Sequence, residues 1–292
     1  MTVQLGKFGI WQPTALTTPD MAAAIEQLGF PTLWVAGPPT DLAGIDELLE
    51  ATESLVVGTS ILNIWHGDPA VAAAAYHRIT ARFPDRFWLG LGAGHPEHTD
   101  VYVKPLAALN HYLDGLDAGG VPVAGRALAA LGPKLLELTA ERAGGAVPYL
   151  VTPEHTRRAR EALGTGTKLL APEHKVVLDT DPERARTIAR PRIRSPYLGL
   201  TNYTNNLRRL GFTDEDLRGD GSDRLIDALV AHGDIEAVAR KLSAHLDAGA
   251  DHVAIQLIGT EHVPHPELPD VTIQVYGDEV FAGYKSLAGA LL

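Results

Sequence analysis

The residues best equipped for chemistry in this 292-residue chain are a few histidines, indoles and one glycine-proline step. In the run His95-Pro96-Glu97-His98, His95 offers an imidazole, a group type that titrates near neutrality, and could donate a proton or a hydrogen bond. The His-x-x-His spacing with a carboxylate inside also admits a metal reading, but a loop guarantees no helical register and no third ligand is evident, so no metal is expected. Trp11, Trp34, Trp65 and Tyr149 could wall a planar ring or could equally pack a core. Gly132-Pro133 opens a helix, and close backbone approach with free helix N–H groups suits an anionic ligand tail. Asp68-Pro69 and Thr152-Pro153 are explained by helix capping alone. His262 and His265 fall in a proline-rich stretch and are expected to be solvated.

These residues need elements to position them. The chain is 45% apolar, enough for one large core. Apolar strands and amphipathic helices alternate from the start: strand Val3 to Trp11, a helix capped by Thr18-Pro19-Asp20 and stopped at Gly29, then strand Thr32 to Ala36. The alternation continues through strands at 55–61, 86–91, 127–131, 146–151 and 168–178, the last interrupted by Pro172, and ends with strand 251–257. Helices are expected at 44–54, 69–83, 105–116, 133–142, 153–163 and 235–248 between them. Nearly continuous apolar runs indicate strands buried on both faces of a parallel sheet. Eight of them with crossover helices predict a (β/α)8 barrel; a doubly wound open sheet is the alternative, disfavoured because no strand leads into a G-x-G-x-x-G turn. The expected organisation is one domain, 1–292, with a mostly helical insertion at about 180–232 that is either a surface excursion or a wall of the substrate pocket.

Composition narrows the partners. With no cysteine, disulfides, thiolate metal sites and cysteine nucleophiles are excluded. A net charge of -11 opposes nucleic-acid backbones and anionic membranes. The N-terminus carries no leader-like pattern and no uncharged apolar stretch approaches transmembrane length, so the expected location is cytoplasmic and the expected partner a small molecule.

In a barrel of this kind, chemistry gathers at the C-terminal strand ends. Those positions here hold Trp11 and Gln12, Gly37, Ser60 to His66, Gly94 to His98, Ala130 to Pro133, Tyr149 and Gln256. The set lacks the paired carboxylates of a glycosidase and the lysine of a Schiff-base aldolase. A wide apolar pocket with few acid–base groups suits a flat cofactor that brings its own reactivity, and hydride chemistry fits that description.

Three segments resemble the luciferase-like monooxygenase superfamily, in particular its coenzyme F420-dependent oxidoreductase branch. They are Val57-Gly58-Thr59-Ser60-Ile61-Leu62-Asn63, with Asp68-Pro69-Ala70-Val71-Ala72, Phe83-Pro84-Asp85-Arg86-Phe87 and Leu89-Gly90-Leu91-Gly92-Ala93-Gly94 after it; Ala129-Ala130-Leu131-Gly132-Pro133-Lys134-Leu135; and Leu246-Asp247-Ala248-Gly249-Ala250-Asp251-His252-Val253. The resemblance implies hydride transfer between a deazaflavin, coenzyme F420, and an apolar small molecule. It also implies a non-prolyl cis peptide at Ser60-Ile61 beneath the cofactor ring, with Leu62, Asn63 and Gly94 beside it, and His95 and His98 facing the reactive region. Ala130, Leu131, Gly132 and Pro133 would follow the phosphate-bearing tail, and Trp11, Trp34, Trp65, His66 and Tyr149 would border the substrate. His95 is the candidate for proton transfer, and a homodimer is expected. Relatives acting on sugar phosphates carry an acidic residue and a histidine where this chain has Gly37-Pro38, and a glutamate where it has His95, which argues against glucose 6-phosphate. Pro191 is expected to interrupt a helix that relatives continue. Two other functions stay open: an FMN-dependent monooxygenase on the same barrel, and a ligand-binding barrel without redox activity.

Overall fold

A computed structural model describes residues 3–94, 104–260, 262–264, 272–274 and 277–292. Ten parallel strands form a curled sheet: β1 (Phe8–Pro13), β2 (Thr32–Ala36), β3 (Val56–Thr59), β4 (Leu62–Asn63), β5 (Phe87–Gly92), β6 (Arg126–Leu128), β7 (Gly145–Ala146), β8 (Leu169–Leu170), β9 (Glu173–Val177) and β11 (Val253–Leu257), with an additional β10 (Val230–His232) on its edge. Strand β8 pairs with β7, and β9 pairs with β11, which pairs with β1. Pro172 has no N–H to give the ladder, yet it separates β8 from β9 without breaking the ring. Ala171 N–H donates to Ala146 O at 2.9 Å on one side, and Ala254 N–H donates to Pro172 O at 2.9 Å on the other. The two halves act as one bent seventh strand, and the barrel read from the sequence is the architecture found.

The helices form where capping signals place them. Thr18, Asp68, Thr152, Asp181, Ser222 and Asp234 each accept a backbone N–H at the start of α1 (Pro19–Gln27), α3 (Pro69–Arg82), α6 (Pro153–Leu163), α7 (Pro182–Arg194), α9 (Asp223–Leu229) and α10 (Ile235–Asp247). The other crossover helices are α2 (Ile45–Glu50), α4 (Pro105–Ala118) and α5 (Pro133–Arg142). Helix α8 (Thr201–Arg209) lies between α7 and α9, and all three precede β10. A C-terminal helix, α11 (Asp278–Leu291), follows β11 and the short antiparallel pair β12 (His262–Pro264) and β13 (Thr272–Gln274). His262 thus opens a strand rather than a loop, and His265 lies outside the described residues. Pro191 lies inside α7, which runs on to Arg194, so the expected interruption there is corrected.

Strand alternation divides the core in two. Outward side chains such as Ile10, Leu33, Val57, Leu89 and Ile255 join the large shell between sheet and helices. Inward side chains Trp11, Trp34, Val56, Trp88, Ala127, Val147 and Ala254 fill the barrel. Trp34 occupies its centre, and Gly58 faces it because a Cβ there would stand 2.4 Å from the indole.

Three buried imidazoles brace this shell. His245 stands 3.0 Å from His174 and 2.8 Å from Thr156, while His252 Nδ1 meets Gly6 O at 2.9 Å. Burial pushes His245 down to about 3, His252 to about 4 and His174 well below its usual value. An unfolded histidine takes up a proton near 6.5 while these folded rings refuse it, so stability is complete above that pH and is lost as pH falls toward the depressed values. Each ring contributes up to ~1.4 kcal/mol per pH unit in that window. The urea midpoint should drop between pH 7 and 5, and less steeply in His245→Leu; a midpoint that is flat over this range contradicts the assignment.

Candidate active site

The barrel is plugged at its centre and open at the C-terminal strand ends, where a cavity of about 580 Å³ lies. Its floor begins with Trp11, whose Nε1 donates to Ser60 O at 3.2 Å and whose ring is 5.4 Å from that of Tyr149. The Ser60–Ile61 peptide is cis, at the bond the family resemblance implied. Ser60 N–H donates to Val35 O at 2.7 Å and Gly37 N–H donates to Ile61 O at 3.3 Å, so this shelf is tied to the end of β2 as well as, through Trp11, to β1. Below it, Thr59 Oγ1 donates to Gly90 O at 2.7 Å and accepts from Gly90 N–H at 2.8 Å, which locks β3 against β5.

The rest of the wall comes from four places. Asn63 accepts from Trp65 N–H at 3.1 Å, and its Nδ2 meets His66 Nε2 at 3.2 Å, presenting the imidazole to the cavity. Gly92, Ala93 and Gly94 pass along one side. Leu131, Gly132 and Leu135 bring the N-terminus of α5, where no side chain caps the helix. Tyr197 and five residues of α8, Thr201, Asn202, Tyr203, Asn205 and Arg209, close the side formed by the insertion. The region before β10 is therefore a pocket wall.

Of the residues singled out in the sequence, Trp11, Ser60, Ile61, Asn63, His66, Gly94, Leu131, Gly132 and Tyr149 converge on this one cavity. Others do not. Trp34 is fully buried in the barrel centre, its Nε1 donating to His252 Nε2 at 3.0 Å, so it supports the floor and cannot border a substrate. The side chains of Leu62 and Ala130 are fully buried in the shells behind the wall. Trp65 turns its Nε1 to Ala93 O and packs on the main core, and Pro133 begins α5 away from the lining. His95 and His98 lie outside the described residues.

The sequence reading also missed a charged group under the floor. Glu173 and Lys175, each about 1% exposed, point into the barrel from β9, with Lys175 Nζ 3.0 Å from Glu173 Oε1 and 2.9 Å from Gln256 Oε1. Burial pushes the carboxyl up and the amine down, while their mutual attraction opposes both shifts. A lysine is thus present inside the barrel, below the strand ends whose residues include none. Its amine sits 3.8 Å from the centre of the Tyr149 ring and is not part of the cavity lining, which leaves it no route to Schiff-base chemistry. The signal was the alternation Glu173-His174-Lys175, which puts both charges on one face of a buried strand.

Comparison with known proteins agrees with this geometry. A family model described as luciferase-like monooxygenase matches residues 11–114, which bears out the resemblance. An F420-dependent secondary alcohol dehydrogenase solved with an F420-acetone adduct superposes with a TM-score of 0.69 at 15% identity, covering 99% of this chain and 100% of that one. The coenzyme F420-dependent tetrahydromethanopterin reductase of Methanopyrus kandleri gives 0.64 at 16% identity and 99% of each chain. The oxygenating constituent of 3,6-diketocamphane monooxygenase from Pseudomonas putida, solved with FMN, gives 0.64 at 12% identity and 98% of each chain. The fold is that of the luciferase-like oxidoreductases and monooxygenases. Among the described residues no helix is long and apolar enough to cross a membrane.

Trp34→Phe separates support from contact. It should lower stability by about 1–3 kcal/mol, because buried His252 loses its donor, and leave affinities for coenzyme F420 and FMN within about twofold. Unchanged stability with a tenfold loss of affinity contradicts this placement.

Proposed function

We propose that this chain is a two-electron oxidoreductase that holds a deazaflavin, coenzyme F420, in the cavity and passes a hydride between it and an apolar small molecule. The observation that carries the reading is the shape and chemistry of the cavity, an apolar aromatic slot with an anion-ready end. At that end a Cβ on Gly132 would meet no atom nearer than Arg209 Nη1 at 3.8 Å, so the glycine leaves open space beside a guanidinium and an uncapped helix start. The residues present fit the group. Ser60, Ile61 and Gly94 would hold the ring, and Leu131, Gly132 and Arg209 its phosphate-bearing tail. When bound, the deazaflavin supplies the hydride. The protein's own contribution is to shape the slot, exclude water with Trp11, Tyr149 and the α8 wall, and position the substrate against the shelf. His95 follows Gly94 directly in the chain and is proposed for the accompanying proton transfer, with His66 as a second imidazole on the cavity.

FMN is the alternative cofactor, supported by the FMN-bound neighbour, and would make the chain a monooxygenase. A barrel that binds a ligand without redox activity is the third reading. A homodimer is part of the proposal, as is a single domain over 1–292. Titration of the protein with each cofactor separates the three. Tight binding of coenzyme F420 over FMN is expected; the reverse preference supports the monooxygenase, and binding of neither supports the redox-free barrel. Gly132→Asp and Arg209→Gln should each weaken the tail's hold by about tenfold or more, since about 1.4 kcal/mol is a factor of ten, with unchanged melting temperature. Equal affinity in both variants contradicts the tail site.

A further inference from the structure

We propose that His155 and Arg158, on one face of α6 and outside the cavity lining, are positioning residues that hold the two arms of a phosphate pocket, the Leu131–Gly132 peptide and Arg209. The inference deepens the oxidoreductase reading and rests on it, since a cofactor's phosphate is the group held there. His155 Nε2 meets Leu131 O at 2.9 Å. Three residues on, Arg158 Nη1 donates to Arg209 O at 2.8 Å, while its Nε is steadied by Glu154 Oε1 at 2.8 Å. Positions three apart are neighbours on a helix surface. One face of α6 therefore grips the loop after β6 with one side chain and the end of α8 with the other. Gly132 and Arg209, the residues so gripped, both line the cavity.

The direction of one peptide decides what the histidine does. Leu131–Gly132 is a trans peptide, in which the carbonyl and the N–H that follows it point in opposite directions. With the carbonyl turned to α6, Gly132 N–H is turned away from it, toward the side of β5 and α4 where Gly94 and Pro105 line the cavity. That N–H meets no acceptor among the described residues, and the Arg209 guanidinium has no ion-pair partner among them. Both are donors left over for a ligand. His155 itself is 3% exposed. Burial holds its ring below the usual value, the Leu131 carbonyl opposing the shift and the guanidiniums of Arg158 and Arg209 adding to it, so the ring is neutral at pH 7. Nδ1 is buried without a partner among the described residues, which places the one proton on Nε2, where Leu131 O accepts it. A hydroxyl or amide could satisfy that carbonyl without stranding a ring nitrogen, and a stranded buried acceptor is a cost that the fold alone does not require. What the rigid ring adds is a fixed peptide plane, and donors held from behind in this way need no rearrangement when the ligand arrives.

Removing the phosphate from the ligand separates positioning from packing. Coenzyme F420 and FMN carry one; the deazaflavin with a bare ribityl chain, and riboflavin, do not. Affinities for each pair are measured with wild type, His155→Leu and His155→Gln. His155→Leu should weaken the phosphate-bearing ligand by about tenfold, the scale of one hydrogen bond to a charged group, and shift its phosphate-free counterpart by less than about twofold. His155→Gln keeps an N–H for Leu131 O and should recover most of the loss. Arg158→Ala, an exposed change, should weaken the phosphate-bearing ligand alone by roughly threefold, less than His155→Leu because only the backbone of Arg209 is released, and it decides the matter if His155→Leu does not fold. Equal losses with and without the phosphate make α6 a structural support only and overturn the inference, as does an unchanged affinity in His155→Leu; either result leaves the cofactor reading standing. If neither cofactor binds, inorganic phosphate is titrated while the Gly132 amide is followed by NMR. A shift of that amide in the wild type that is lost in His155→Leu upholds the positioning role and overturns the hydride reading, whereas no shift in the wild type overturns the phosphate pocket.

Discussion

A closed ring of parallel strands has a fixed interior, and what fills it decides where a ligand can sit. Here three indoles, Trp11, Trp34 and Trp88, and one buried ion pair occupy that interior. Trp34 reaches the centre only because Gly58 yields the space, and its N–H is anchored on a histidine whose other nitrogen is fixed by Gly6 O. With the middle sealed, the C-terminal end is left as a cup. The Ser60–Ile61 shelf, the start of α5 and the α8 wall then all face the same volume.

The fold was legible because its signals are local. Threonine, aspartate or glycine followed by proline marks the starts of α3, α5 and α6, and α5 and α6 fall on the very residues read from the sequence. Strand ends were less legible: β7 is Gly145–Ala146, so only Ala146 of the run 146–151 falls in it, and although Val147 N–H and Pro148 O still bond to the neighbouring strands, the chain turns at Leu150, which takes a positive φ of 55°. Strand β10 was hidden in the insertion, where three residues carry too little pattern to separate from the end of α9. Pro191 was misread since a proline weakens a helix without always ending it; the Asp181 cap and the ion pairs of Arg186 and Arg190 with Asp223 hold α7 continuous in spite of it.

The site was legible in part, and the reason is parity. A residue near a strand end enters the cavity only if it points inward and lies above the plug. Trp11 meets both conditions, whereas Trp34 points inward but lies in the plug, and sequence position cannot tell one from the other. Glu173 and Lys175 were invisible for the opposite reason: alternating charges on a strand read as a wet face, and only the ring closure through β9 and β11 turns that face inside. Their burial joins the fold to the chemistry, because the same contacts that satisfy the pair also orient Gln256 and Tyr149.

The central claim is that one cavity at the C-terminal strand ends receives a flat redox cofactor, ring on the Ser60–Ile61 shelf and tail on α5. A crystal structure of the protein soaked with coenzyme F420 tests it most directly. The account predicts tricyclic density between that shelf and Tyr149, and phosphate density within hydrogen-bond reach of the first N–H groups of α5 and of Arg209. Cofactor density elsewhere on the molecule, or a cavity that stays filled only with solvent at saturating cofactor, contradicts it.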